Sequence, residues 1–171
     1  MSQVDGAAGA STLVEAARWL LSSAESRGLT VAVAESLTGG EVVSTLVSVP
    51  GASAVVVGGV VAYATRIKSQ VLGVDERRLK RTGPVDGEVA RQMASGVAAL
   101  MGADLGLATT GVAGPGPADG HRAGTVHVAV VSPWGEVSRE LHLDGDRMQV
   151  RDGATTAVLA LAAALLGAAE T

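Results

Sequence analysis

Cysteine is absent from this 171-residue chain, which excludes disulfides, thiolate metal sites and cysteine nucleophiles together. Phenylalanine is absent as well, and one tyrosine (Tyr63) and two tryptophans (Trp19, Trp134) bring the aromatic share to only 2%. Single-stranded nucleic acid is held by stacking its bases on exposed rings, so this composition argues against such a platform. The net charge of -4 points the same way, against a nucleic-acid or anionic-membrane surface. No basic segment followed by an apolar run opens the chain, which predicts no secretory signal and a cytoplasmic protein. Residues 154–169 are strongly apolar but short of the roughly 18–20 that a membrane span requires. They read as a buried or subunit-contact helix.

Apolar side chains are plentiful, at 47% against 18% charged, and the length suits one domain with a normal core. Residues 1–10 are small and polar and read as a disordered lead, leaving 11–171 as the single domain. Thr12-x-x-Glu15 has capping-box spacing, and Leu13, Ala16, Ala17, Leu20 and Leu21 keep helical spacing up to Gly28. Strands are predicted over 31–34, 54–63 and 104–109, with a bend, bulge or close backbone approach at Gly58-Gly59. Val126, Val128 and Val130 alternate within 125–131, which pairs with 136–143 as a hairpin. Helices are predicted through 46, over 65–72, 75–80 and 87–100, and after an Asp146-x-x-Gln149 cap. Helices alternating with strands give an α/β fold: three α/β/α layers on a mixed sheet of parallel strands plus an antiparallel hairpin.

Chemistry concentrates at 31–45, VAVAESLTGGEVVST, where an apolar strand enters a polar turn and then a helix. Thr38-x-x-Glu41 has capping-box spacing, which assigns the cap to Thr38 and leaves Ser36 free. A helix start offers backbone N–H groups to an anion, here around Thr38, Gly39 and Gly40. Ser36 is therefore either an ordinary turn residue or a nucleophile beside an oxyanion site. The Gly-x-Ser-x-Gly elbow is not matched by the residues around Ser36. A serine nucleophile needs a base. His121, His127 and His142 have no aspartate at a spacing that suggests a triad, and His127 alternates with the valine face as if pointing outward from its strand. Only two lysines exist, Lys68 and Lys80, and Lys68 lies among Ile67, Val71 and Leu72. Desolvation lowers a lysine's pKa and makes it a base; a surface lysine lying along apolar neighbours fits the same sequence. The loop TGVAGPG, from Thr110 through Gly111, Ala113 and Gly114, follows a strand directly, where α/β sheets bind ligands, although it matches no P-loop. Arg147 falls in the first turn of the last helix, an arrangement that holds phosphate or leaves a solvated arginine.

Read together, AESLTGG (34–40), VPGASAVVVGGVVAYATRIK (49–68), VLGV (71–74), TTGVAGPGPADG (109–120), GTVHVAV (124–130) and GDR (145–147) resemble, in order, the CinA carboxy-terminal domain family. That family includes stand-alone nicotinamide-nucleotide amidohydrolases, and the resemblance runs over nearly the whole chain. It implies hydrolysis of the carboxamide of nicotinamide mononucleotide (NMN) to nicotinate mononucleotide and ammonia, with no metal and no cofactor. It implies Ser36 as nucleophile, Lys68 as base and Tyr63 as helper. Thr38, Gly39, Gly40, Thr65, Thr110, Gly111, Ala113, Gly114 and Arg147 would bind the substrate. Two departures stand out. Leu37 replaces the usual cysteine, and Ala64-Thr65-Arg66-Ile67 replaces Ser-Asn-Glu-Ala, putting Thr65 where relatives have asparagine. The competing expectation is a non-catalytic nucleotide-binding or interaction module of the CinA type, linked to competence. The expected partners are a nucleotide substrate and further copies of the chain, since an Ala/Leu-rich last helix and Val-rich segments favour a homo-oligomer, with no nucleic acid or membrane.

Overall fold

The computed structural model describes residues 4–168. In chain order it forms α1 (Val4–Glu25), β1 (Val31–Glu35), α2 (Glu41–Val47), a 3-10 turn (Ala52–Ala54), β2 (Val56–Val61), α3 (Thr65–Gln70), α4 (Glu76–Thr82), α5 (Gly87–Met101), β3 (Leu105–Gly111), β4 (Thr125–Ser132), β5 (Gly135–His142) and α6 (Arg147–Ala168). The five strands make one sheet in the order β2-β1-β3-β4-β5. β1 runs parallel to β2 and β3, and β4 and β5 are antiparallel additions, so the sheet is mixed as predicted.

Alternation along the strands sorts large from small side chains. Val31, Val33, Leu105, Leu107, Val126, Val128 and Val130 pack with α1, α2 and α6. Each such side chain withdrawn from water contributes roughly 1.5–3 kcal/mol. The opposite face carries Ala32, Ala34, Ala108 and Ala129 and receives α5 through Val89, Ala90, Met93, Ala94 and Val97. Small residues there let α5 come close: a Cβ on Gly106 would lie 2.0 Å from the Ala94 carbonyl oxygen. Helices therefore cover both faces, giving the expected three layers.

Several boundaries differ from the sequence reading. α1 begins at Val4 and not at Thr12, so 4–10, read as a disordered lead, are helical, and 1–3 lie outside the described residues. Alanines at 7, 8 and 10 favour helix strongly enough that no cap is needed at Thr12. α6 has 22 residues and is long and apolar enough by composition to cross a membrane, which corrects the reading of a stretch too short to do so. Its Val150, Ala154, Val158, Leu159, Ala162 and Leu166 are nevertheless part of the core, as a buried helix requires. In β2, Val31 pairs with Val56 while Ala32 pairs with Gly58, so the expected irregularity is a bulge at Val57.

Topology places the site. From β1 the chain moves to β2 on one side, then returns by α5 to β3 on the other side of β1. The carboxyl ends of β1 and β3 thus flank a topological switch point, the crevice where open α/β sheets bind ligands. Ser36 follows β1 there, and Thr110 and Gly111 end β3 beside it.

Candidate active site

The turn after β1 is built around Glu35, whose side chain is fully buried. Its Oε2 accepts from Thr38 Oγ1 at 2.6 Å, from Gly40 N–H at 2.9 Å and from Val42 N–H at 3.1 Å, while Oε1 accepts from Val43 N–H at 2.9 Å. The cap of α2 is therefore the carboxylate of the preceding strand, which corrects the assignment to Thr38. Gly39 and Gly40 take left-handed φ values of 63° and 104°, so the chain loops back and turns the Thr38 hydroxyl toward Glu35 and away from the helix. Thr109 Oγ1 bonds Thr38 Oγ1 at 2.8 Å. From α6, Arg151 donates to the carbonyls of Leu37 (3.1 Å) and Thr38 (2.7 Å) and pairs with Glu41 at 3.2 Å. Burial and the neighbouring Asp152 push the Glu41 carboxyl up to about 7.

This anchoring leaves Ser36 at the wall of a cavity of about 220 Å³. Lys68 reaches it from α3, its ammonium end buried, with Nζ 2.9 Å from Ser36 Oγ and 2.7 Å from the Ala62 carbonyl. Lys68 faces inward because Ile67, Leu72 and Val74 dock this segment onto the α5 side of the sheet. Desolvation lowers its pKa from 10.5 to about 8, with Asp119 pulling the other way. The lysine is thus buried, as a base would be, and Lys80 lies exposed on α4 beside Glu76. None of the three histidines lines this cavity. His127 is buried where an outward-pointing residue was expected, on the sheet face under α5, and lines a separate cleft with Asp86 and Ser138.

The cavity is lined by Ser36, Tyr63, Thr65, Lys68, Thr110, Gly111, Ala113, Gly114 and Arg147 from the expected set. Thr38, Gly39 and Gly40 do not line it. Their exclusion has a physical reason: the Gly40 N–H is held by Glu35, and the Gly39 N–H donates to Ser36 O at 3.2 Å. Among the described residues the N–H groups of Leu37 and Thr38 have no acceptor, but Thr38 is fully buried away from the cavity wall, so the Leu37 N–H is the donor that replaces the glycines. Tyr63 stands at the rim, 63% exposed, and its hydroxyl accepts from Arg147 at 3.2 Å. Arg147 also donates to the Gly114 carbonyl at 2.8 Å and so bridges the mouth. The Thr110 hydroxyl donates to the Pro84 carbonyl at 2.8 Å and fixes the neighbouring loop.

Sequence reasoning missed Glu35, Arg151 and Asp119. A buried acid directly before a Gly-Gly turn is a usable signal for the first. The other two depend on where α6 and the 110–124 loop come to lie.

Comparison with known proteins supplies a frame for this geometry. The family model described as "CinA C-terminal domain" matches residues 14–166. A "CinA-like protein" of Frankia casuarinae is 47% identical over 140 residues, covering 82% of this chain and 32% of that protein. A "CinA-like protein" of Synechococcus is 49% identical over 68% of this chain and 28% of its own length. The chain thus spans about a third of the curated relatives it matches. Solved structures match end to end: "competence/damage inducible protein CihA" of Agrobacterium tumefaciens has a TM-score of 0.86 at 34% identity, covering 90% of this chain and 95% of that one.

Proposed function

Since the chain belongs to the family of CinA C-terminal domains, we propose that its buried Ser36–Lys68 pair makes it an amidohydrolase acting on the carboxamide of nicotinamide mononucleotide. The observation that carries this reading is the 2.9 Å contact between Ser36 Oγ and Lys68 Nζ inside a cavity at the sheet's switch point. Neutral Lys68 takes the Ser36 proton, and Oγ attacks the carboxamide carbon. The N–H group of Leu37, at the cavity wall beside Ser36, holds the resulting oxyanion, a contribution that can reach a few kcal/mol. Lys68 passes its proton to the departing ammonia. It then deprotonates a water, which cleaves the acyl-serine and gives the carboxylate product.

Size supports a nucleotide bound at its base end. At about 220 Å³ the cavity is smaller than the ~300–1,000 Å³ typical of sites that swallow a whole ligand. It suits one ring with its substituent and leaves the ribose phosphate at the mouth, where Arg147 is exposed.

The test is ammonia release from NMN by the purified full chain, in the presence of a chelator, measured across pH 6–10. We expect release whose kcat/KM rises with pH through about 8, because Lys68 must lose its proton to act and burial has lowered its pKa to about that value. Binding of NMN with no ammonia at any pH would replace the amidase with a nucleotide-binding module. Arg147→Ala is expected to raise KM for NMN about tenfold with kcat little changed, while leaving the dephosphorylated riboside unaffected. An equal loss with both substrates would reject the phosphate role.

A further inference from the structure

The walls of the Ser36 cavity carry two basic side chains, Lys68 and Arg147, and a single acid, Asp119. Serine acylation does not require a carboxylate at this place, where Asp119 opposes the lowering of the Lys68 pKa, and an anionic ligand would be repelled by it. We infer that Asp119 recognises a positive charge on the substrate's ring, so that the site selects an N-substituted pyridinium carrying the carboxamide over an uncharged ring of the same shape. This inference rests on the amidase reading and deepens it by stating which oxidation state of the ring is accepted.

Asp119 is held in place before any ligand arrives. Ala118 and His121 exchange both backbone hydrogen bonds, at 3.0 and 2.9 Å, closing a two-residue turn. Its central residues, Asp119 and Gly120, both have positive φ (52° and 80°), as a type I′ turn requires. One flank of the turn lies against Gly83, where an added Cβ would come 3.9 Å from Asp119 Cβ. The Gly83-Pro84 loop is in turn tied to β3 by the Thr110 hydroxyl. Among the described residues the Asp119 carboxylate has no hydrogen bond or salt bridge, so its charge is available to a ligand.

Charge matching along the substrate completes the argument. Lys68 meets the carboxamide and Arg147 the phosphate; Asp119 is left for the ring nitrogen, the one remaining charged centre of an oxidised nicotinamide nucleotide. Reduction to the dihydropyridine removes that positive charge and keeps the ring, carboxamide, ribose and phosphate.

The experiment uses the full chain carrying Ser36→Ala, so that ligand is not consumed, with and without Asp119→Asn. Asparagine suits the same turn, which isolates the charge. Calorimetric titration with NMN and with its reduced, uncharged form is expected to show Asp119→Asn weakening NMN about fivefold and the reduced form less than about twofold. Equal weakening of both ligands, no change with either, or no binding of either by the Ser36→Ala parent would each overturn the inference. Ammonia release by the unsubstituted protein is scored separately. Release without a charge preference rejects Asp119 alone, and a charge preference without release rejects the amidase alone.

Discussion

Ser36→Ala and Lys68→Met should each lower ammonia release from NMN by about a thousandfold or more, and the double variant should lose little beyond either single one. In the proposed mechanism the two groups act as one unit: without the serine there is no acyl acceptor, and without the lysine the hydroxyl keeps its proton. Their effects on stability should differ. Lys68 has a folded pKa near 8 against 10.5 in the unfolded chain, so between those values the unfolded state binds more protons. Stability therefore rises with pH across that window, and below about pH 8 the fold bears the full cost of a buried charge. That cost is about 3 kcal/mol, from ~1.36 kcal/mol per unit of pKa. Methionine fills similar space without charge. Part of the gain is offset by leaving the Ala62 carbonyl without its donor, at about 1 kcal/mol. The net of about 2 kcal/mol corresponds to a melting temperature about 5 °C higher at pH 7, a difference that shrinks toward pH 10. A Lys68→Met protein that melts lower than wild type at pH 7 would contradict the buried-charge account, and one that keeps near-wild-type turnover would remove Lys68 as base.

What could be read from the sequence was what local periodicity determines. The Asp146-x-x-Gln149 box is realised in full, with Asp146 Oδ1 accepting from the N–H groups of Met148 and Gln149 and the Gln149 side chain accepting from the Asp146 N–H. α5 stops at Gly102, which has φ 62°, and the β4–β5 hairpin pairs as its alternation requires. Lys68 stood out because its neighbours are apolar and only one other lysine exists, but those neighbours fit a surface lysine equally, and its pairing with Ser36 was an expectation from the family resemblance. The same local rule misled at Thr38. Its spacing to Glu41 matches a capping box, but two left-handed glycines intervene and Glu35 competes for the same donors. A carboxylate accepts up to four hydrogen bonds where a hydroxyl offers fewer, so Glu35 takes the helix and Thr38 becomes one of its donors. Asp119 and Arg151 were illegible for another reason. Their partners lie far away in the chain, and only the folded sheet brings 119 toward 68 or 151 toward 37.

Glu35→Ala should be the most damaging single change to the turn. It strips the acceptor from three backbone N–H groups and the Thr38 hydroxyl, all close to a fully buried position, and leaves a cavity behind. An unsatisfied buried donor costs about 1–3 kcal/mol. Relaxation and entering water recover part of that, so a net loss of at least about 3 kcal/mol is expected, near 9 °C in melting temperature. The loss should be local first: amide exchange at Gly40, Val42 and Val43 should accelerate well beyond that of α5. Ser36 adjoins Glu35 and takes its position from this turn, so turnover should fall about a hundredfold even at temperatures where the chain stays folded. Glu35→Gln gives the sharper test. Its one carbonyl oxygen has two lone pairs for the Thr38, Gly40 and Val42 donors, and its amide faces the Val43 N–H, so a cost of about half that of alanine is expected. A Glu35→Ala protein with wild-type melting and wild-type exchange at Gly40 would mean that the nucleophile's turn is held by Arg151 and the glycines without the acid. With the predicted loss, the residue that frees Ser36 for chemistry is its neighbour Glu35, which takes the capping work that Thr38 was expected to do.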